Sequence, residues 1–245
     1  MEWCPYSNRC GSCVNAIMIR SIVFSLIFIT LGNSDTFITS IGECSLEIYA
    51  GKVNNIMEIE SLVKDESYRL INEFGAIFPR PFSIFITNNM EEFYIKSKGP
   101  FPEWGIAIAK LNPDRIILKA PGIANISFSQ MKKVIIHELN HIYLYRIPNH
   151  HSIPSWFKEG LAMRNSNEFS LTHKIEISKS LWQNQIFPLA QLENFRTLQK
   201  FNVQLAYGES AAAVEFLEYY YGKEIFIKIL NNMRLDMDFH AALKL

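Results

Sequence analysis

The sequence predicts an α+β fold in which a small, mainly antiparallel sheet precedes a helical half. Two features support this prediction: segments typical of strands lie before residue 120, and segments with helical spacing of apolar residues dominate after it. The chain has 245 residues, of which 49% are hydrophobic and 20% are charged. This composition is typical of one folded domain and gives no sign of disorder.

The sheet region is predicted from apolar spacing and from the residues that interrupt it. Its elements are a helix at about 55–74, a strand at 82–87, a short helix at 90–97, and two strands at 105–110 and 115–119. Gly75 ends the first helix, and Asn112-Pro113-Asp114 predicts the turn between the last two strands.

The helical half begins with the segment VIIHELNHIYLYRI (134–147), which is apolar on nearly every face. Such a pattern predicts a helix buried on most sides. Ser127 or Ser129 can cap its N-terminus, and Pro148 is expected to stop it. The polar residues in the middle of this helix therefore need partners inside the protein.

Further helices are predicted along the rest of the chain. Pro154 opens the segment SWFKEGLAM, in which Trp156 and Phe157 are expected to pack this helix against the one before it. GESAAAVEFLEYYYG is the next helix and is stopped by Gly222. KEIFIKILNNM follows, and the chain finishes within DMDFHAALKL, which has the pattern of one more helix.

The buried helix carries the residues of a metal site. His137 and His141 are four residues apart, so a helix projects both rings from one face, where they can reach a single ion. Glu138 is displaced around the helix axis, so it is better placed to act as a general base on a water bound to the metal than as a ligand. This is the spacing of two zinc ligands on a helix.

A catalytic zinc usually has three protein ligands and one water, which calls for a third residue. Glu159 is the best candidate, because it lies eighteen positions after His141 on the next predicted helix. His150 and His151 lie in the intervening loop, but neither has a partner at ligand spacing, and adjacent loop histidines are more often exposed. Tyr207 could donate a hydrogen bond to a developing oxyanion, and its alternative role is packing.

The motif HELNH followed by WFKEGLA resembles the gluzincin metallopeptidases, and it is most similar to bacterial peptidase-MA-like domains. Those domains carry HExxH and then W-x-x-E-G-apolar-A. The resemblance implies a zincin-like fold with the HExxH helix at its centre and Zn²⁺ as cofactor. It also implies that His137, His141 and Glu159 bind the zinc and that Glu138 is catalytic.

The function implied is that of a zinc-dependent peptidase, which hydrolyses peptide bonds by Glu-assisted attack of a zinc-bound water. The alternative is a non-catalytic zinc-binding module of the same fold that acts in binding or cell-envelope assembly. The presence of Glu138 favours the enzyme. The domain is expected to span residues 45–245, and the resemblance implies a short C-terminal end, because such domains usually continue further.

The N-terminal residues 1–34 predict an extension followed by a signal peptide. The start could lie at Met18, since Arg20, an apolar run over 22–31 and small residues follow it in the order of a signal sequence. Export, either secretion or delivery to the periplasm, is therefore expected. The alternative is a membrane anchor, but the apolar run is short against the roughly 20 residues that span a bilayer.

The charge content limits the expected classes of partner, and the cysteine content limits the expected disulfides. Lys plus Arg and Asp plus Glu each number 24, so no overall charge attracts nucleic acid, and the expected partner is a peptide or protein substrate. A membrane partner is expected only if the N-terminal segment is kept as an anchor.

The cysteines predict no disulfide in the exported domain. Cys10 and Cys13 resemble a redox or metal pair only superficially. Cys44 is the single cysteine after the predicted signal, so no internal disulfide is expected there.

Overall fold

The computed structural model describes residues 35–41, 44–50, 55–75, 80–98, 105–195 and 203–244. Over these residues a five-stranded sheet comes first and a set of helices follows, which confirms the α+β class. The predicted N-terminal extension and signal segment, with the Cys10 and Cys13 pair, lie outside the described residues. Within the described part of the chain, no helix combines the length and the apolar character needed to cross a membrane.

The sheet contains two antiparallel and two parallel strand pairs, in the order β1-β2-β3-β5-β4. The strands are β1 (Asp35–Ile41), β2 (Cys44–Ala50), β3 (Phe82–Thr87), β4 (Ala107–Lys110) and β5 (Arg115–Lys119). The prediction of a mainly antiparallel sheet was therefore wrong in this detail. A helix lies between β2 and β3 and returns the chain to the same end of the sheet, so these two strands run parallel.

The helices of the described residues are α1 (Ile56–Phe74), α2 (Met90–Ser97), α3 (Pro121–Ala124), α4 (Phe128–Tyr145), α5 (Ser155–Asn165), α6 (Leu171–Trp182), α7 (Val203–Tyr221), α8 (Glu224–Arg234) and α9 (Phe239–Leu243). The predicted helices and three predicted strands are present. Strands β1 and β2 and helices α3 and α6 were not predicted from the sequence. The first strand of the predicted pair also begins later than expected, at Ala107.

Helix α4 is the centre of the fold. Ser127 caps it, because the Ser127 hydroxyl accepts a hydrogen bond from the Gln130 amide and the Gln130 side chain accepts one from the Ser127 amide. The helix ends at Tyr145, before Pro148. It contacts α1, α5, β4 and β5, so its apolar residues are buried from several sides, as their distribution predicted.

Helices α5 and α7 pack unusually closely in the helical half. Gly160 of α5 faces the backbone of Ser210 in α7, and a Cβ added at Gly160 would lie 2.3 Å from the Ser210 carbonyl oxygen. Trp156 and Phe157 are buried, as expected, but their nearest aromatic rings include Phe226 of α8 and Phe239 of α9. Helix α5 is therefore fixed against α7, α8 and α9 as well as against α4.

Candidate active site

The two histidines of the HELNH motif lie one turn apart on the same face of α4. Their ring centroids are 5.0 Å apart. His141 is nearly buried and His137 is partly buried. The helix therefore directs two imidazole rings into one region, as the four-residue spacing predicted.

Glu159 of α5 completes a group of three potential metal ligands. One of its carboxylate oxygens, Oε2, lies 3.3 Å from Nε2 of His137 and 3.4 Å from Nε2 of His141. One potential ligand atom from each of the three residues lies within 4.8 Å of the others. Two imidazole nitrogens and a carboxylate oxygen form a donor set that suits zinc, so the residues fit the predicted metal.

Glu168 orients one of these histidines and was not predicted from the sequence. Its Oε2 atom lies 2.7 Å from Nδ1 of His137 and accepts a hydrogen bond of 2.8 Å from the Ser166 hydroxyl. Because a carboxylate can only accept, the His137 ring donates from Nδ1 to Glu168, and Nε2 is the ring atom that faces Glu159. Such outer carboxylates are typical partners of metal-binding histidines.

The second histidine is held differently. Nδ1 of His141 is buried and has no hydrogen-bond partner among the described residues. The Tyr145 ring stacks on the His141 ring with centroids 6.2 Å apart, and the His137 ring lies edge-on to it. Ring packing and the contact of Nε2 with the Glu159 carboxylate therefore orient His141.

Opposite charges at this site shift the pKa values of its acids and bases. Burial alone would lower the pKa of His137, but Glu159 and Glu168 raise it well above its usual range. Burial alone would raise the pKa of Glu159, yet His141 and His137 hold it well below its usual range. The carboxylate of Glu159 is therefore ionised at neutral pH and available to a cation.

Glu138 faces a different environment from Glu159. Burial raises its pKa, and the charges of His141 and His137 oppose that effect without cancelling it. A hydrogen bond from the backbone of Ala109 in strand β4 also acts on the Glu138 carboxylate. Glu138 is outside the three-residue ligand group, as its position on the helix predicted.

Asn140, the other polar residue within the motif, belongs to the framework of the site. It is fully buried; its side-chain N–H donates to the Ile136 carbonyl at 2.8 Å, and its side-chain oxygen accepts from Asn165 of α5 at 2.6 Å. The oxygen of Asn165 accepts in turn from Arg164 at 2.6 Å. These bonds satisfy a buried amide and connect α4 to the helix that carries Glu159.

A cavity of about 610 Å³ opens beside His137 and Glu138. Strand β4, helix α4 and helix α7 contribute to its walls, and Tyr207 of α7 lies among its lining residues. The Tyr207 ring centroid is 6.5 Å from that of His137, and the Phe195 ring packs edge-on against it. The charge of Glu159 and burial raise the pKa of Tyr207, so its hydroxyl stays protonated and can donate.

The loop histidines lie apart from this group. His150 and His151 form a single 3₁₀ turn after α4, and neither belongs to the three-residue ligand group. Their rings adjoin each other, and the His150 ring contacts Tyr145 rather than the donor atoms. The structure thus brings Glu159, and not the loop histidines, to the two motif histidines.

The described residues form an α+β domain with a group of side chains that could bind a metal. A model of the family described as Peptidase MA superfamily matches residues 62–245. The chain therefore belongs to the Peptidase MA superfamily, which confirms the resemblance seen in its motifs.

Solved structures include chains similar to this one. One is an M1 zinc metallopeptidase from Deinococcus radiodurans, with 14% sequence identity and a TM-score of 0.48. The match covers 87% of this chain and 44% of that protein, so this chain spans less than half of its length. No curated protein matches the sequence.

Proposed function

We propose that this protein is a zinc-dependent peptidase. The observation that supports the proposal most directly is the convergence of His137, His141 and Glu159 beside a fourth, separate side chain, Glu138, at the wall of an open cavity. A structural metal site needs only ligands. A hydrolytic site also needs a base near the ligands and room for a substrate, and both are present here.

The metal would be held by Nε2 of His137, Nε2 of His141 and the carboxylate of Glu159. Zinc in that position would polarise a substrate carbonyl and would lower the pKa of a water molecule toward about 7. Glu168 would keep the His137 ring in the orientation and tautomer that present Nε2.

Glu138 would transfer a proton from the attacking water to the leaving amine. Burial raises the pKa of its carboxylate, which makes it a better proton acceptor than an exposed glutamate. One of its oxygens would take a proton from the attacking water and then deliver it to the nitrogen of the leaving amine. The backbone of Ala109 would hold the carboxylate toward the cavity during both steps.

Tyr207 is the candidate donor to the oxygen that becomes negatively charged during attack. Its hydroxyl remains protonated because nearby carboxylates raise its pKa, and its ring lines the same cavity as Glu138. A hydroxyl directed at a developing oxyanion stabilises the transition state more than the substrate. The remaining oxyanion stabilisation would come from the metal.

The substrate would be a peptide or protein in an extended conformation. Strand β4 is at the edge of the sheet, next to β5, and runs beside α4. An edge strand of this kind can pair with a substrate backbone, which gives affinity without dependence on sequence. The balanced charge of the chain favours no nucleic-acid partner. We propose secretion or periplasmic location, with membrane attachment by the N-terminal segment as the alternative.

The test replaces Glu138 with glutamine in the full chain. Glu138→Gln should bind about one zinc per chain, as the wild type does, but its peptide hydrolysis should fall about 10²- to 10⁴-fold because a general base is lost. Elemental analysis measures the zinc, and mass spectrometry measures the cleavage of a mixed peptide library. A chelator-treated wild type is the metal-free control, and His150→Ala is the control for a histidine outside the ligand group.

The outcomes separate the enzyme from a binding module. Cleavage by the wild type but not by Glu138→Gln supports the peptidase. Equal cleavage by both proteins contradicts the role of Glu138. Stoichiometric zinc without cleavage by either protein favours the non-catalytic module that acts in binding or cell-envelope assembly.

A further inference from the structure

A second cavity lies at the opposite end of strand β4 from the first. Its volume is about 300 Å³, and its walls include Leu111 and Asn112 from the turn after β4, Tyr145 from the end of α4, and His150. The first cavity is lined by Gly105, Ile106 and Ala107 from the start of the same segment. One edge strand therefore begins at one cavity and ends at the other.

The candidate site adjoins both cavities, because His137 and Glu138 line the first and the second is lined by Tyr145. Ala109, in the middle of β4, provides the backbone hydrogen bond to Glu138. The Tyr145 ring lines the second cavity and stacks on the ring of His141, so that cavity begins directly beside a proposed metal ligand. A peptide extended along β4 would therefore pass from one cavity to the other beside the proposed ligands.

Positive charge distinguishes the second cavity. Its lining residues include Arg80, Arg146, His150 and His151, and none of them is acidic. Arg146 is neutralised, because its Nε donates to the carboxylate of buried Asp114 at 2.9 Å. Arg80 is exposed and has no ion pair within the described ranges, so its guanidinium remains available.

Several basic groups surround His150 at this cavity. Burial lowers the pKa of His150, a hydrogen bond involving the Ile147 backbone opposes that effect, and the charges of His151, Lys158 and Arg80 lower the pKa further. His150 is therefore neutral at neutral pH, and the positive charge at this cavity comes from the groups around it. One carboxylate, Asp236, contacts this rim and accepts a hydrogen bond from Asn149 at 2.6 Å. A guanidinium beside a cavity with no acidic lining residue matches a carboxylate, which it can bind with two parallel hydrogen bonds.

Helix and strand geometry give the distance between the second cavity and the cleaved bond. Tyr145 follows Glu138 by seven residues of α4, which corresponds to about 10 Å along a helix. An extended peptide covers that distance in about three residues. A peptide paired antiparallel with β4 runs from the second cavity toward the first, so its N-terminal half would lie at the second cavity.

Resting on the proposed peptidase function, we propose that the second cavity is a substrate subsite that selects an acidic residue about three positions N-terminal to the cleaved bond. Arg80 is its main specificity-determining residue. The substrates are then extended protein segments that carry Asp or Glu on the N-terminal side of the bond.

The first experiment reads this preference from cleavage. The full-length, zinc-loaded protein is incubated with a degenerate peptide library, and the products are sequenced by mass spectrometry. Asp and Glu should be enriched about fivefold over Lys two to four residues before the cleaved bond, as expected for one solvent-accessible ion pair. Arg80→Glu should abolish or reverse this enrichment, whereas Lys228→Glu, an equal charge reversal at an exposed position on α8, should retain it.

The second experiment does not depend on hydrolysis. Glu138→Gln is mixed with the same library, and the peptides that remain bound after gel filtration are sequenced. Acidic peptides should be retained by Glu138→Gln and not by the double variant that also carries Arg80→Glu. Acid selection in this binding test without any cleavage by the wild type would contradict the proposed hydrolysis and support the subsite. Cleavage without acid selection, or selection that Arg80→Glu leaves unchanged, would overturn the subsite and leave the peptidase intact.

Discussion

Helix α7 packs against α5 and against α6 in opposite ways. On the α5 side, a Cβ added at Gly160 would lie 2.3 Å from the Ser210 carbonyl oxygen and 2.6 Å from a methyl of Val214. On the α6 side, a Cβ added at Gly208 would lie 3.4 Å from a methyl of Ile177, which is an ordinary contact. The first interface has no free space, and the second has room for a methyl group.

The ion pairs also differ between the two interfaces, because the pair at the tighter interface is less exposed and has more hydrogen bonds. Arg164 of α5 donates to both carboxylate oxygens of Glu218 in α7, at 2.5 and 2.8 Å, and to Glu73 of α1 at 2.5 Å. Lys174 of α6 meets Glu215 of α7 at 2.9 Å, but about half of each side chain is exposed. The α5 pair is fixed by several bonds, whereas the α6 pair is surrounded by water.

The tighter interface belongs to the helix that carries a proposed metal ligand, and the looser interface belongs to a helix that carries none. Gly160 immediately follows Glu159, so close backbone packing against α7 fixes the third proposed ligand relative to the two histidines. Helix α6 contributes His173 to the wall of the first cavity but contributes no proposed ligand. It also contains no buried residue. Tight packing is found where donor atoms must converge, and looser packing is found where the helix only borders the cavity.

The largest expected effect comes from filling the tight interface. Gly160→Ala should lower the free energy of unfolding by about 3 kcal/mol, because the methyl group must push α5 away from the backbone of α7. Zinc content should fall as well, since Glu159 moves with α5. Urea unfolding and elemental analysis measure the two effects.

Gly208→Ala is the matched control, because it adds the same methyl group to α7 on its other side. We expect no loss of stability, and a gain of up to about 1 kcal/mol, since alanine is favoured over glycine within a helix. Equal destabilisation by the two substitutions would contradict the comparison between the interfaces.

A smaller effect is expected from the ion pairs. Arg164→Ala leaves Glu218 and Glu73 without their shared partner in a partly buried position, and it should cost about 2 kcal/mol of stability. Lys174→Ala removes a solvent-exposed pair and should cost less than about 0.5 kcal/mol. Thermal unfolding of both variants at two salt concentrations tests this, and similar losses in the two variants would argue against the difference.

The sequence predicted the centre of the molecule better than its edges. The long apolar segment with its capping serine identified α4, and the four-residue spacing of His137 and His141 placed both on one face. Glu159 followed from its position on the next helix and from the family resemblance. Strong helical periodicity and a metal motif are both local signals, which is why a single sequence reveals them.

Strands β1 and β2 were missed although part of their pattern was available. Leu46, Ile48 and Ala50 are buried and alternate with less buried neighbours, which is the period of a strand with one covered face. Parallel pairing of β2 with β3 could not be predicted from spacing, because it depends on the path of the chain through α1. Several apolar residues of α6, such as Trp182 at 91% exposure, lie in solvent, so the sequence of α6 lacks the single buried stripe by which an amphipathic helix is recognised.

Glu168 shows why part of the site was not predictable. It is separated from His137 by 31 residues and follows Asn167, whose left-handed backbone (φ 56°) turns the chain after α5. No periodic pattern encodes such a turn. The bond between Asn140 and Asn165 likewise depends on how α4 and α5 cross, so the sequence indicated only that Asn140 needs a partner.

A pH-dependent effect is expected at an acid on the looser side of α7. Glu209 is nearly buried, accepts hydrogen bonds from the Phe187 amide in the segment after α6, and has its pKa raised by burial to about 7. Because the unfolded chain binds this proton less tightly, the contribution of Glu209 to stability is present at low pH and is lost as the pH rises through about 7. Glu209→Gln keeps an acceptor for the amide but removes the charge. Its free energy of unfolding, relative to the wild type, should therefore increase by about 2 kcal/mol between pH 5 and pH 8.5, since one pKa unit corresponds to about 1.4 kcal/mol. Urea unfolding of both proteins at each pH measures this difference, in which the titration of the histidines common to both cancels. A difference that stays constant with pH would mean that Glu209 is ionised throughout, and that water reaches this side of α7 more freely than the packing indicates.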